Sequence, residues 1–236
     1  MQWLLRCQPV LVNQGEDSMA DNEEFADKTP WPARPYAWYV VGILTLAYTV
    51  SFIDRQILNL LVEPIRADLD ITDTQVGLLQ GLAFAIFYSV MGVPIARIAD
   101  RGNRRNIIAA GIFLWCIATA ICGLARNFVE LFLARIGVGV GEAALSPPAY
   151  SMIADYFPPH QLARASGTFA LGVYSGAGIA MLVGGAVIQM ITEAGPISLP
   201  IVGAMRPWQL AFVVVGLPGL LVGALMFTIK EPRRRG

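Results

Sequence analysis

From Tyr36 onward, long apolar runs alternate with short polar breaks. Six of these runs can cross a ~30 Å hydrocarbon core, which takes about 20 helical residues. They fall at 36–62, 74–97, 105–125, 128–157, 163–191 and 207–229. The pattern predicts an all-α integral membrane protein built as a six-transmembrane-helix bundle. Tyr36, Trp38 and Tyr39, with Trp31 ahead of them, suit an interfacial anchor for the first span. Thr72-Asp-Thr-Gln75 reads as a capping box opening the second, and Pro207 suits the first turn of the sixth. Residues 1–35 carry Glu16, Asp17, Asp21, Glu23, Glu24 and Asp27 ahead of Pro30, Pro32 and Pro35, and read as a disordered acidic tail. Met1–Val12 is too short and too interrupted for a signal peptide, and Met19 is a second candidate start.

Small residues recur at helical spacing in two spans. Gly77, Gly81, Ala85 and Ser89 form one stripe, continued by Gly92 and Ala96. The fifth span has Gly172, Gly176, Gly178, Gly184 and Gly185. Such stripes permit close helix contact in lipid, and packing is the plainer reading of both; the sharper one is a fifth helix that slides or bends.

Composition agrees with a membrane protein: 56% of the 236 residues are hydrophobic and 14% charged, where soluble domains carry about a quarter. Cys7, Cys116 and Cys122 lack paired spacing, and the single histidine, His160, argues against a metal site. No catalytic set can be assembled around one histidine, so no enzyme is expected. Lys and Arg balance Asp and Glu overall, but not along the chain. Arg97, Arg101, Arg104 and Arg105 gather after the second span, and Lys230, Arg233, Arg234 and Arg235 after the sixth, whereas loop 1–2 is acidic. The positive-inside rule then places both termini in the cytoplasm, with residues 231–236 beginning a cytoplasmic loop.

The informative charges lie inside the spans. Arg135-Ile-Gly-Val-Gly-Val-Gly-Glu142 puts two opposite charges on one helix face, about 10.5 Å apart along the axis, with Gly139 opening the backbone between them. Charges this expensive in hydrocarbon should line a polar cavity. Asp54 and Arg55 stand in the first span, where Arg55 shares a face with Tyr48, Ser51 and Asn59. A carboxylate buried at the midplane suits proton exchange, and Glu142 could pair with Arg55 or with Arg135. Ser146-Pro147-Pro148 should bend the fourth helix. Farther along it, Asp155 reaches the level of Arg104 and Arg105, where a charge cluster could bias a conformational equilibrium.

These motifs carry a resemblance. Asp100-Arg-Gly-Asn-Arg-Arg105 resembles the loop 2–3 signature of the major facilitator superfamily, with Asn103 at a usual glycine, a residue that tolerates a left-handed turn. Pro148…Asp155-Tyr-Phe-Pro158…Arg164 resembles the motif closing the fourth helix. Asp54-Arg55, the loop, and Arg135…Glu142 together resemble the spinster-like group. The resemblance implies the N-terminal six-helix half of a secondary transporter, with Asp54, Arg55, Arg135 and Glu142 binding substrate or proton. It also implies a cavity lined by Tyr48, Ser51, Asn59, Gly139 and Ser146, and a cytoplasmic gate of Asp100, Arg101, Arg104, Arg105, Asp155 and Arg164. Spinster relatives move lysophospholipids or sphingosine phosphates, so the implied substrate is an amphipathic anionic lipid. Arg55 and Arg135 would hold its head while Phe84, Phe87 and Tyr88 contact its tail. The implied setting is the cell membrane, with no cofactor beyond protons as coupling ion and no nucleic acid. The implied partners are membrane lipids and a C-terminal six-helix half, in the same full-length protein or a separate chain. A sugar acid or other small organic anion is the alternative substrate, and a non-transporting six-span subunit the alternative role.

Overall fold

A computed structural model describes residues 30–194, 197–199 and 203–235. The acidic tail, residues 1–29, lies outside them. Two compact units are present. In the smaller, Arg235 donates to the Pro30 carbonyl and lies over the Trp31 ring. The larger, Pro32–Arg234, is the helical bundle.

The bundle opens with α1 (Arg34–Leu60), which has Pro35 in its first turn, followed by the short α2 (Val62–Leu69). Asp70 ends α2 in the left-handed region, φ 49°. The second span starts at the Thr72 capping box and runs through α3 (Asp73–Gly77), a π-helical turn (Leu78–Leu82) and α4 (Ala83–Arg101). Next comes α5 (Arg104–Cys122), capped by Asn103, whose side chain accepts from the Asn106 amide at 3.0 Å. Asn103 has φ −82°, so its part is to cap the third span, and the left-handed turn expected of it does not form. The chain continues through α6 (Phe128–Glu142), α7 (Ser146–Tyr156) and α8 (Pro159–Ala194). An antiparallel pair follows, β1 (Ile197–Leu199) and β2 (Gly203–Met205), with Ile197 opposite Met205. The bundle ends with α9 (Pro207–Met226).

Five helices among the described residues are long and apolar enough to cross a membrane. The fourth crossing differs from the single bent helix expected over 128–157, because it is broken into α6 and α7. Pro147 and Pro148 have no N–H to offer the carbonyls of Ala143 and Ala144, so the chain tightens there. Ala144 and Leu145 bond back three residues, to Gly141 and Glu142.

Helix α1 packs on α8 and α9, α5 on α6 and α9, and α4 on α6. The core between them holds Leu44, Ile112, Trp115, Phe169 and Phe212, all nearly inaccessible. Outward-facing apolar side chains such as Val93, Leu133 and Leu221 suit hydrocarbon. The glycine stripes divide in meaning. A Cβ on Gly176 would meet Phe52 Cβ and the Thr49 carbonyl at 2.6 Å, and Gly172 and Gly184 also adjoin α1, whereas Gly178 and Gly185 would meet nothing within 4 Å. Cβ atoms on Gly77, Gly81 and Gly92 of the second span's stripe would meet nothing within 4 Å.

Candidate functional site

Glu142 is the last residue of α6 and is 1% exposed. One carboxylate oxygen accepts from Arg55 Nε at 2.5 Å and from Ser51 Oγ at 2.8 Å, both one turn apart on α1. Three rings surround the Arg55 guanidinium: Phe84 at 4.5 Å, Phe52 at 4.8 Å and Tyr88 at 4.9 Å from its central carbon. Ring faces attract a cation, more so when both are partly desolvated, so the cage fixes the guanidinium's position. Phe84 and Tyr88, expected against a substrate tail, lie over the Arg55 guanidinium.

Asp54 points the other way, into the α1–α5 interface. It is 2% exposed and accepts from Thr119 Oγ1 at 2.5 Å. Arg135 is also 2% exposed, with its guanidinium carbon 5.8 Å from the Phe84 ring centre. Among the described residues it has no carboxylate at ion-pair distance, so Glu142 pairs across helices with Arg55 and not along its own helix. Arg135 Nε and Nη1, Glu142 Oε1, Asp54 Oδ1 and Trp115 Nε1 are buried without a hydrogen-bond partner among the described residues. A buried polar group left without any partner carries a desolvation penalty, and such groups are concentrated where α1, α5 and α6 meet.

The residues expected to line a cavity separate. Gly139 does not open the helix face: a Cβ there would lie 2.9 Å from the Phe84 carbonyl, so the second span fills the gap. Ser51 is buried beneath Glu142. Tyr48 stacks on Phe169 at 4.7 Å. Ser146 takes a long 3.5 Å contact from the Tyr88 hydroxyl. Only Asn59 is exposed. It donates to Gln56 Oε1 at 2.7 Å and accepts from Gln80 Nε2 at 3.2 Å.

At the other end of the fourth crossing, Arg104 is buried and held by several groups. It donates to Asp155 at 2.5 Å, Ser151 Oγ at 2.8 Å, Glu231 at 2.8 Å and the Pro232 carbonyl at 3.3 Å. Glu231 also accepts from the Arg105 backbone amide at 2.9 Å, and Arg105 donates to the Ile229 carbonyl. The chain after α9 is thus clasped onto loop 2–3. Sequence reasoning missed Glu231; its setting in Lys-Glu-Pro, directly after an apolar run, was the only signal. The Arg104–Asp155 pair is buried, with side chains 2% and 9% accessible. Asp100 and Arg101 are exposed beside this cluster, and Arg164 lies over Trp38 at 5.4 Å.

The chain as a whole is similar to known transporters. A solved bacterial homologue of the human lysosomal transporter spinster, inward-facing and unoccupied, superposes with a TM-score of 0.77 at 42% identity, covering 87% of this chain and 45% of that one. An efflux pump of Mycolicibacterium smegmatis is 31% identical over 84% of this chain and 43% of its own. A probable L-galactonate transporter of Escherichia coli is 28% identical over 81% and 39%, respectively. A sphingosine-1-phosphate transporter of Xenopus tropicalis is 25% identical over 90% and 40%. The chain spans under half the length of each of these relatives. The sequence model of the Major Facilitator Superfamily matches residues 44–236, and the chain belongs to that superfamily.

Proposed function

We propose that this chain is the N-terminal six-helix half of a proton-coupled secondary transporter for an amphipathic anionic lipid, of the lysophospholipid or sphingosine-phosphate kind. It works with a C-terminal half, and both its ends lie in the cytoplasm. The observation that carries the reading is the pairing of a partly exposed Arg55 with a buried Glu142. The Arg55 side chain is 23% accessible, while that of its partner Glu142 is fully buried. Of Asp54, Arg55, Arg135 and Glu142, only Arg55 reaches the surface of the bundle.

An incoming anion competes with Glu142 for that guanidinium. A carboxylate that loses its cation in a buried site is costly, and proton uptake removes the cost. Anion binding and protonation of Glu142 are then linked, and each favours the other. Asp54, buried in the same cluster, interacts electrostatically with that carboxylate and with Arg135. The resemblance to a sphingosine-1-phosphate transporter supports the lipid reading. The L-galactonate relative and the amides of Asn59 and Gln80, exposed, and of Gln56, half-exposed, support a second one, a sugar acid.

The test is a titration of the full chain in nanodiscs with oleoyl lysophosphatidate, in weak buffer with a pH indicator. Wild type takes up a proton as it binds. Arg55→Met weakens binding by about tenfold or more, the cost of one charged hydrogen bond. Glu142→Gln binds without proton uptake. Equal uptake by wild type and Glu142→Gln refutes the coupling.

A further inference from the structure

One polar group on the bundle takes no part in the charge pairs. Gln56, Asn59 and Gln80 form a chain of carboxamides that joins the first and second spans: Asn59 donates to Gln56 at 2.7 Å, and Gln80 donates to Asn59 at 3.2 Å. Asn59 and Gln80 are exposed and Gln56 half-exposed. Carboxamides facing hydrocarbon lose hydration without replacement, so this face is turned to a polar space and not to lipid.

Two features mark it as more than a tie between helices. Gln80 sits within the π-helical turn Leu78–Leu82, the only such turn among the described residues. Turns of this kind cost helix regularity and are frequent at functional sites. The amide chain also ends in complementary groups. Gln56 Nε2 is a donor and Gln80 Oε1 an acceptor, neither of which has a partner among the described residues. Hydroxyls, which both donate and accept, can satisfy either end. The position completes the picture: Asn59 is one turn from Arg55, ~6 Å along α1.

We infer that Gln56, Asn59 and Gln80 are a hydroxyl-recognising subsite, and that the substrate is an anion carrying a free hydroxyl within a few bonds of its charged group. This rests on the proposal that Arg55 receives an anion, and it narrows that anion's chemistry. A lysolipid with a free glycerol hydroxyl and a sugar acid both present it, whereas a simple fatty acid or alkyl phosphate does not.

The test uses two matched pairs of probes on the full chain in nanodiscs: oleoyl lysophosphatidate against its 2-deoxy analogue, and galactonate against hexanoate. In at least one pair the hydroxylated member binds about tenfold tighter, the ratio one neutral hydrogen bond sustains. Preference in the first pair alone identifies a lipid headgroup, and in the second alone a free hydroxy acid. Asn59→Leu and Gln80→Leu reduce the preference to about twofold or less while leaving the deoxy probe's affinity unchanged. Equal affinity within both pairs overturns the subsite and spares the anion reading. So does a preference that survives both substitutions while only thermal stability falls, since the amides would then be a structural tie. If no anion binds in either pair, both readings fall.

Discussion

The clasp around Arg104 makes the sharpest prediction about stability. Asp155 and Glu231 share one guanidinium, at 2.5 Å and 2.8 Å, but differ in burial: their side chains are 9% and 23% accessible. Removing one partner of a buried pair costs about 3–5 kcal/mol when the survivor is left uncompensated. After Asp155→Ala, Arg104 still has Glu231, so the loss should sit at about 3 kcal/mol. Glu231→Ala removes a more accessible carboxylate, which solvent partly replaces, and should cost about 1–2 kcal/mol. The double variant leaves the guanidinium with Ser151 Oγ and the Pro232 carbonyl as its remaining hydrogen-bond acceptors here. Its cost should exceed the sum of the singles by about 1–3 kcal/mol, the usual coupling for groups in one network. Denaturant unfolding of the purified protein in mixed micelles measures the cycle, followed by tryptophan fluorescence. Trypsin cleavage at Arg233 and Arg234 reports release of the clasped segment in Glu231→Ala. Additivity within about 0.5 kcal/mol would refute the shared-guanidinium account.

Gly176→Val should destabilise by about 1–3 kcal/mol, because its side chain meets Phe52 and the Thr49 carbonyl. Gly178→Ala, which meets nothing, should be neutral or slightly stabilising in the same unfolding assay. Trp208→Phe removes the 2.8 Å bond from the indole N–H to Asp68, which Arg206 also engages, and should cost about 1 kcal/mol. Asn103→Ala removes the cap of α5 and should cost about 1 kcal/mol, with Asn103→Asp retaining most of it.

The crossing segments were legible because a run of about 20 apolar residues has few other physical meanings. The buried charges were legible for the same reason, as each interrupts such a run at a cost. What escaped was the identity of partners far away in the chain. Glu231 lies 127 residues from Arg104, and nothing local marks it as that side chain's counter-ion. Gly139 looked like an opening, because the absence of a Cβ reads alike whether a cavity or another backbone adjoins it. Only the position of Phe84 decides between them. The two glycine stripes read alike in sequence for that reason, though Gly172, Gly176 and Gly184 adjoin α1 while Gly77, Gly81 and Gly92 face open space. The π turn at Leu78–Leu82 escaped because its five residues would also suit an ordinary α-helix.

The composition of the fourth crossing has one physical explanation. Its first half is rich in glycine and its second opens on two prolines, and the two compositions serve the two carboxylates differently. In α6, the glycines bring backbones together: a Cβ on Gly141 would lie 2.7 Å from the Trp115 amide nitrogen, and one on Gly139 2.9 Å from the Phe84 carbonyl. That seats Glu142 deep enough to meet Arg55 and Ser51 of α1. In one unbroken helix, Asp155, thirteen residues on, would point about 140° away from Glu142. The break at Ala143–Leu145 frees α7 from that constraint, so Asp155 can turn to Arg104 of α5. Each half of the crossing is thereby tied by its own ion pair to a different helix, with the proline-enforced break between them. A rearrangement at Glu142 need not drag Asp155 rigidly with it, and relative motion between the two ties is confined to three small or aliphatic residues, Ala143, Ala144 and Leu145.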